Sequence, residues 1–133
     1  MKTNTIELYI HIPFCKSKCR YCDFCSFRAE EETIHAYLRK LKEELIFWGK
    51  KLAARDIVTV FIGGGTPSYL RRQDIQMICE TVFEHFHICE DAEITIEANP
   101  GTVDLKKLCT YRDNGINRIS FGLQSTVKEE LEY

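Results

Sequence analysis

Three cysteines fall within eight residues in the run Cys15-Lys-Ser-Lys-Cys19-Arg-Tyr-Cys22, directly after a strand-like segment. The spacing C-x3-C-x2-C gathers three thiols on one loop and offers no fourth ligand where a common closed metal site would use one. Thiolates are the ligands of iron–sulfur clusters. A cube held by four thiolates only passes electrons. One held by Cys15, Cys19 and Cys22 alone leaves an iron open to an added ligand and can pass an electron straight into it.

Other thiol chemistries fit less well. Zinc favours two separated C-x2-C pairs or Cys/His pairs, and here only Cys22 and Cys25 make such a pair. A ferredoxin-type cluster uses the different register C-x2-C-x2-C, and haem attachment needs a histidine where Ser26 follows Cys25. The cysteine count of seven is odd, and Met1–Glu7 lacks the apolar stretch of a secretion signal. Both point away from disulfides and toward a reduced, cytoplasmic setting. Cys79 and Cys109 fall on apolar helix faces, where a thiol packs as a small hydrophobe, and Cys89 reads the same way. His85 and His87 have no Cys or carboxylate at ligand spacing and read as packing or surface residues.

The elements that must position the thiols follow from periodicity. Ile6–Ile12 alternates, with Ile6, Leu8, Ile10 and Ile12 on one face and Glu7, Tyr9 and His11 on the other, so it predicts a strand. Ile34, Leu38, Leu41, Leu45, Trp48 and Leu52 recur at helical spacing. Ile57–Ile62 is a β-branched strand ended by Gly63-Gly64-Gly65-Thr66-Pro67, and Ile75, Ile78, Val82 and Phe86 mark a second helix. Glu93–Ala98 alternates again and stops at Asn99-Pro100-Gly101. A third helix carries Leu105, Leu108 and Cys109, with Thr102 as its N-cap and Gly115 as its C-cap, and Ile116–Phe121 is a fourth strand.

The order βαβαβαβ calls for parallel strands with right-handed helical crossovers, an α/β fold. Pro13, Pro67 and Pro100 each follow the C-terminal end of a predicted strand, and those ends share the rim on which such folds build their sites. The cysteine loop, the glycine loop and the Glu97 turn should therefore face one another. Gly63–Gly65 removes side chains where backbone must approach a polar ligand, and Thr66 adds a hydroxyl. A glycine run alone is as well explained by a plain turn, and no Gly-Lys-Ser/Thr follows to make a phosphate loop. Glu97 lies opposite Ile94 and Ile96 and so points away from the helices; taken singly it also reads as a solvated strand-end carboxylate, Tyr9 as a strand aromatic and Gln124 as a turn residue. His11 shares the face of Tyr9 and is assigned no role.

Length and charge bound the partners. A chain of 133 residues is about one domain long and buries roughly two thirds of its unfolded surface. Its net charge of −2, with both signs interspersed, advertises no nucleic-acid face. No apolar run approaches the ~18 residues of a membrane span.

Four stretches together resemble one family. Tyr9–Cys15 through Cys22-Asp-Phe24, Gly63–Ser68, Glu97–Gly101 and Asn117–Ser125 are similar to the oxygen-independent coproporphyrinogen III oxidase and haem-chaperone branch of the radical S-adenosylmethionine (SAM) superfamily. The resemblance implies the N-terminal part of a β6/α6 partial TIM-like barrel, with residues 1–133 an incomplete radical SAM core left open by truncation. It implies a [4Fe–4S] cluster on Cys15, Cys19 and Cys22, with SAM at its open iron. Tyr9, Tyr21, Gly64, Gly65, Thr66, Glu97 and Gln124 fall on the family's SAM-contacting positions. In that chemistry an electron from the reduced cluster cleaves the C5′–S bond of SAM and yields a 5′-deoxyadenosyl radical.

Within the branch, the coproporphyrinogen dehydrogenases carry a further cysteine two residues after the third ligand. Here Phe24 stands there and Cys25 comes one residue later, a pattern similar to the haem chaperones, which bind haem and hand it to acceptor proteins. The expected partners are SAM, haem or a porphyrinogen, a haem-acceptor protein and an electron donor. Two other readings stay open: a coproporphyrinogen III dehydrogenase, and an inert or partner-dependent fragment.

Overall fold

Residues 4–16, 27–123 and 126–131 are described by the structure, a computed structural model. Strand β1 (Thr5–Ile12) leads to helix α1 (Glu31–Lys51), β2 (Asp56–Gly64), α2 (Arg72–His85), β3 (His87–Ala98), α3 (Leu105–Asp113), β4 (Arg118–Phe121) and a last turn, α4 (Lys128–Leu131). Short 3-10 turns at Pro67–Tyr69 and Pro100–Thr102 follow β2 and β3. The four strands are parallel and lie in chain order, β1-β2-β3-β4, so α1, α2 and α3 each cross over between neighbours. Among the described residues the sheet is open, with β1 and β4 as its two edges.

The core lies between one face of the sheet and the helices. Ile10 and Ile12 of β1, Val60 and Ile62 of β2, and Ile94 and Ile96 of β3 are all buried. They meet Ile34, Leu38 and Leu45 of α1, Ile75, Ile78 and Val82 of α2, and Tyr111 of α3. The strict period of two breaks once, in β2. Its register against β3 shifts between Ile57 and Thr59, and that irregularity returns Ile57 to the core face, fully buried.

Several expectations from periodicity change in the fold. Strand β3 begins at His87, because Asp56 and Ile57 already pair with His87 and Ile88. His87 does have a carboxylate partner: Asp56 Oδ1 lies 2.6 Å from its Nδ1, supplied by the neighbouring strand. Trp48, expected in the core, is 45% exposed, while Gly49 is buried. A Cβ on Gly49 would stand 2.6 Å from the His85 carbonyl, so α1 turns its glycine to the end of α2 and its tryptophan outward. The N-cap of α3 is Asp104, whose carboxylate accepts the Lys107 N–H, rather than Thr102. Gly115, with φ +93°, follows the Asn114 cap.

Candidate functional site

The C-terminal strand ends are stitched into one rim by three consecutive backbone amides. The Gly64 N–H donates to Glu97 Oε2 at 3.0 Å, the Gly65 N–H to the Ile12 carbonyl at 2.8 Å, and the Thr66 N–H to the Phe14 carbonyl at 2.7 Å. The glycine loop thus binds β3 on one side and the start of the cysteine loop on the other. The base of that loop is itself closed: Phe14 and Phe27 form a parallel bridge, with the Phe27 N–H on the Pro13 carbonyl and the Cys15 N–H on the Phe27 carbonyl. Phe14 is fully buried and packs edge-on against Phe27 and Tyr37, and the Tyr37 hydroxyl donates to the His11 carbonyl. Cys15, next in the chain, is buried.

Glycine is required in this loop by space and by backbone angle. Gly64 has φ +123°, a conformation costly for any other residue, and a Cβ there would stand 2.6 Å from the Ile12 carbonyl and 2.9 Å from the His11 ring. On Gly63 a Cβ would stand 2.9 Å from Glu97 Oε2, so its absence makes room for the carboxylate. The amides of residues 64–66 are thus already engaged within the protein, which leaves the carbonyls of the turn and the Thr66 hydroxyl as the polar groups it can offer a ligand. Glu97 uses Oε2 on Gly64, and its Oε1 has no protein partner among the described residues. A cationic group suits that arrangement.

The face of the sheet below the rim, opposite the helices, carries Tyr9, His11, Phe61, Thr95 and Arg118. Tyr9 is 58% exposed, stacks on Phe61 and shares a 2.9 Å hydrogen bond with His11 Nδ1. Its phenol is raised above the ordinary tyrosine value, by desolvation first and by the Glu97 charge second, which sets Tyr9 and Glu97 in one electrostatic field. Arg118 reaches Glu93 at 3.7 Å and Thr95 Oγ1 at 3.4 Å.

Tyr9, Cys15, Gly64, Gly65, Thr66 and Glu97 are therefore all carried on β1, β2, β3 and the rim loops that follow β1 and β2, as the order of elements required. Cys19, Tyr21, Cys22, Phe24, Cys25 and Gln124 lie outside the described residues. Among the described residues no group of three or more His, Cys, Asp or Glu side chains is placed to hold a metal ion. A cavity of about 430 Å³ lies between the N-terminal ends of α1 and α2, where Arg71 is paired with Asp74 and Glu31. Four polar residues lie just outside the rim, Ser68, Asn99, Thr102 and Lys107; sequence reading assigns them no site role, and expects Thr102 only as a helix cap. Their nearest signal was the proximity of Ser68 and Asn99 to prolines.

Residues 9–133 match the radical SAM superfamily profile. The chain belongs to the radical SAM superfamily. It is 42% identical over 133 residues to the heme chaperone HemW of Escherichia coli (strain K12), a match covering 99% of this chain and 35% of that protein. It is 36% identical over 125 residues to the heme chaperone HemW of Bacillus subtilis (strain 168), covering 93% of this chain and 33% of that one. Among solved structures it is similar to coproporphyrinogen III oxidase (HemN) from Escherichia coli, a radical SAM enzyme, with a TM-score of 0.91 and 33% identity over 98% of this chain and 30% of that chain. The four-stranded parallel sheet with its helices is thus the α/β arrangement of the N-terminal part of that radical SAM fold. The chain spans about a third of the length of the curated relatives it matches. No helix among the described residues is long and apolar enough to cross a membrane.

Proposed function

We propose that this chain is the cluster- and SAM-binding part of a radical SAM protein that acts as a haem chaperone. The observation that carries the reading is the Gly64–Glu97 contact. It fixes a carboxylate, one oxygen of which has no protein partner among the described residues, beside a glycine loop whose next amides are bonded to the strand end leading into Cys15.

The residues present fit the two cofactors. Cys15, Cys19 and Cys22 supply three thiols at a spacing that leaves one iron of a [4Fe–4S] cluster open. The cluster and SAM, when bound, supply the one-electron chemistry that breaks the sulfonium C5′–S bond. The protein's part is binding and orientation. Glu97 would accept from the SAM ammonium, the Gly64–Gly65 turn and the Thr66 hydroxyl would offer it further polar groups, and Tyr9 would supply a contact from β1. Tyr21 and Gln124 complete the contact set by their positions in the family pattern.

The haem-chaperone assignment is supported by the names of the relatives at 42% and 36% identity and by Phe24, which stands where the dehydrogenases carry a cysteine. On this reading the partners are haem, a haem-acceptor protein and an electron donor, in the reducing cytoplasm. A coproporphyrinogen III dehydrogenase is the second reading, favoured by the TM-score of 0.91 to an oxidase of that substrate. Anaerobic reconstitution with iron and sulfide, followed by titration with SAM and haemin and an assay of coproporphyrinogen III decarboxylation, tests both. Cluster, SAM and haem binding without decarboxylation is the expected result. Decarboxylation without haem binding selects the dehydrogenase, and a protein that takes up neither iron nor SAM overturns the proposal.

A further inference from the structure

The β2–β3 ladder ends at the pair Ile62/Ile96, one residue short of the point where Glu97 must be held. Beyond it, β2 and β3 run into separate turns, Pro67–Tyr69 and Pro100–Thr102. These are joined by a closed ring of hydrogen bonds among three residues. The Asn99 N–H donates to Ser68 Oγ at 3.0 Å, Ser68 Oγ bonds Thr102 Oγ1, and Thr102 Oγ1 donates to the Asn99 carbonyl at 2.7 Å. The direction of the ring is settled by its ends: Asn99 N–H can only give and its carbonyl can only accept, so Ser68 gives to Thr102. Ser68 is fully buried, and each hydroxyl both donates and accepts within the ring.

Lys107 closes the ring from outside. Its Nζ donates to the Ser68 carbonyl and, at 2.9 Å, to the Thr102 carbonyl, spanning both turns with one ammonium. A lysine normally keeps its charge in water. Here burial lowers its pKa from the ordinary value, with the Asp104 carboxylate opposing, so the charge is held partly desolvated against two carbonyls. Ser68 lies two residues beyond Thr66, and Asn99 two beyond Glu97.

We infer that Lys107, acting through Ser68 and Thr102, is a positioning residue that holds the Gly64–Thr66 loop and Glu97 at the spacing that receives the SAM ammonium. The inference rests on the reading of Glu97 as a SAM contact. Short turns tied only to their own strands would let the two halves of the site drift apart, and a misplacement of that kind weakens a ligand that must touch both. The ring and the ammonium continue the sheet's join past its last ladder pair.

The test uses the full chain, reconstituted anaerobically, with SAM affinity measured by calorimetry and cluster content by iron and sulfide analysis. Lys107→Met and Ser68→Ala should each bind SAM roughly tenfold more weakly with the cluster retained, and Lys107→Arg should restore most of the affinity because a guanidinium can bridge the same carbonyls. Ile78→Val, a core change on α2 away from the rim, supplies the control: it should lower the melting temperature without changing SAM affinity, which separates positioning from general loss of stability. If Lys107→Met does not fold, Ser68→Ala decides. Wild-type affinity in Ser68→Ala and Lys107→Met while Glu97→Gln loses affinity overturns this inference alone. Unchanged affinity in Glu97→Gln overturns the reading of the site, and the inference with it.

Discussion

The backbone amide of Gly64 and the carboxylate of Glu97 meet at 3.0 Å across 33 positions of sequence, joining the end of β2 to the end of β3 through a side chain. Such a bond orients the carboxylate before any ligand arrives. It also divides the labour between the two residues. Gly64 supplies a backbone shape that no other residue adopts cheaply, and Glu97 supplies the charge.

Substitutions at the two positions should therefore fail differently. Gly64→Val places a branched side chain at φ +123°, with its Cβ 2.6 Å from the Ile12 carbonyl. Backbone strain alone is expected to cost about 1–3 kcal/mol, read as a lowered urea midpoint. Glu97→Gln keeps the shape and an acceptor oxygen while losing the charge. Its urea midpoint should barely move, whereas SAM affinity should fall by roughly tenfold or more, the loss of a charge-assisted hydrogen bond of about 1.5–3 kcal/mol. Equal urea midpoints in the two variants would show that Gly64 is not held as described.

The thiols make a second prediction. Alanine at Cys15, Cys19 or Cys22 should abolish iron and sulfide uptake, and Cys25→Ala should leave it intact, because only the first three follow the C-x3-C-x2-C register. Visible absorption and iron analysis after anaerobic reconstitution measure it. A cluster that survives Cys19→Ala and is lost in Cys25→Ala would reassign the ligands.

Much of this was legible in the chain because the strands are amphipathic. Alternation at Ile6–Ile12 and Glu93–Ala98 separates core residues from Tyr9, His11 and Glu97. Three prolines mark where parallel strands end, which is enough to bring distant motifs to one rim. What escaped depends on neighbours that periodicity cannot see. Trp48 matches the apolar stripe of α1 as well as Leu45 does, and only the close pass of Gly49 against His85 decides which is turned outward. Thr102 has the chemistry of a helix cap, yet its hydroxyl is committed to Asn99 and Ser68, leaving the cap to Asp104. The Ser68–Asn99–Thr102–Lys107 group has no sequence spacing at all, since its members meet only when β2 and β3 lie side by side.

Tyr111 yields a stability prediction with a definite sign. It is 1% exposed, and its hydroxyl has no hydrogen-bond partner among the described residues. Burial, with the charges of Asp104 and Cys79 adding to it, pushes its pKa up to about 12 from an ordinary 10.0. The folded state then keeps its proton where the unfolded chain has lost it. The neutral phenol's contribution to stability is complete below pH 10.0 and is lost as pH rises toward about 12. Tyr111→Phe removes an unsatisfied buried group and should stabilise the fold at neutral pH by about 1 kcal/mol. It should also flatten the alkaline decline. Urea unfolding of both proteins across the alkaline range tests this, and a destabilised Phe variant would mean that the hydroxyl has a partner.

The edge formed by β4 carries the last prediction. Among the described residues Arg118–Phe121 pairs only with β3, so its outer backbone groups are open to another strand. Phe121 is 48% exposed, and Leu123 and Val127, which follow it, are 57% and 47% exposed, so the open edge is also apolar. Unpaired strand and exposed hydrophobic surface together favour association. The 133-residue chain is accordingly expected to self-associate at micromolar concentration, and Phe121→Lys should shift that equilibrium toward monomer by placing a charge at the contact. Sedimentation velocity over a concentration series measures both. A wild-type monomer that persists at the highest concentrations, or a Phe121→Lys variant that associates as strongly as wild type, would show that β4 is not the contact and that its edge is protected within the chain itself.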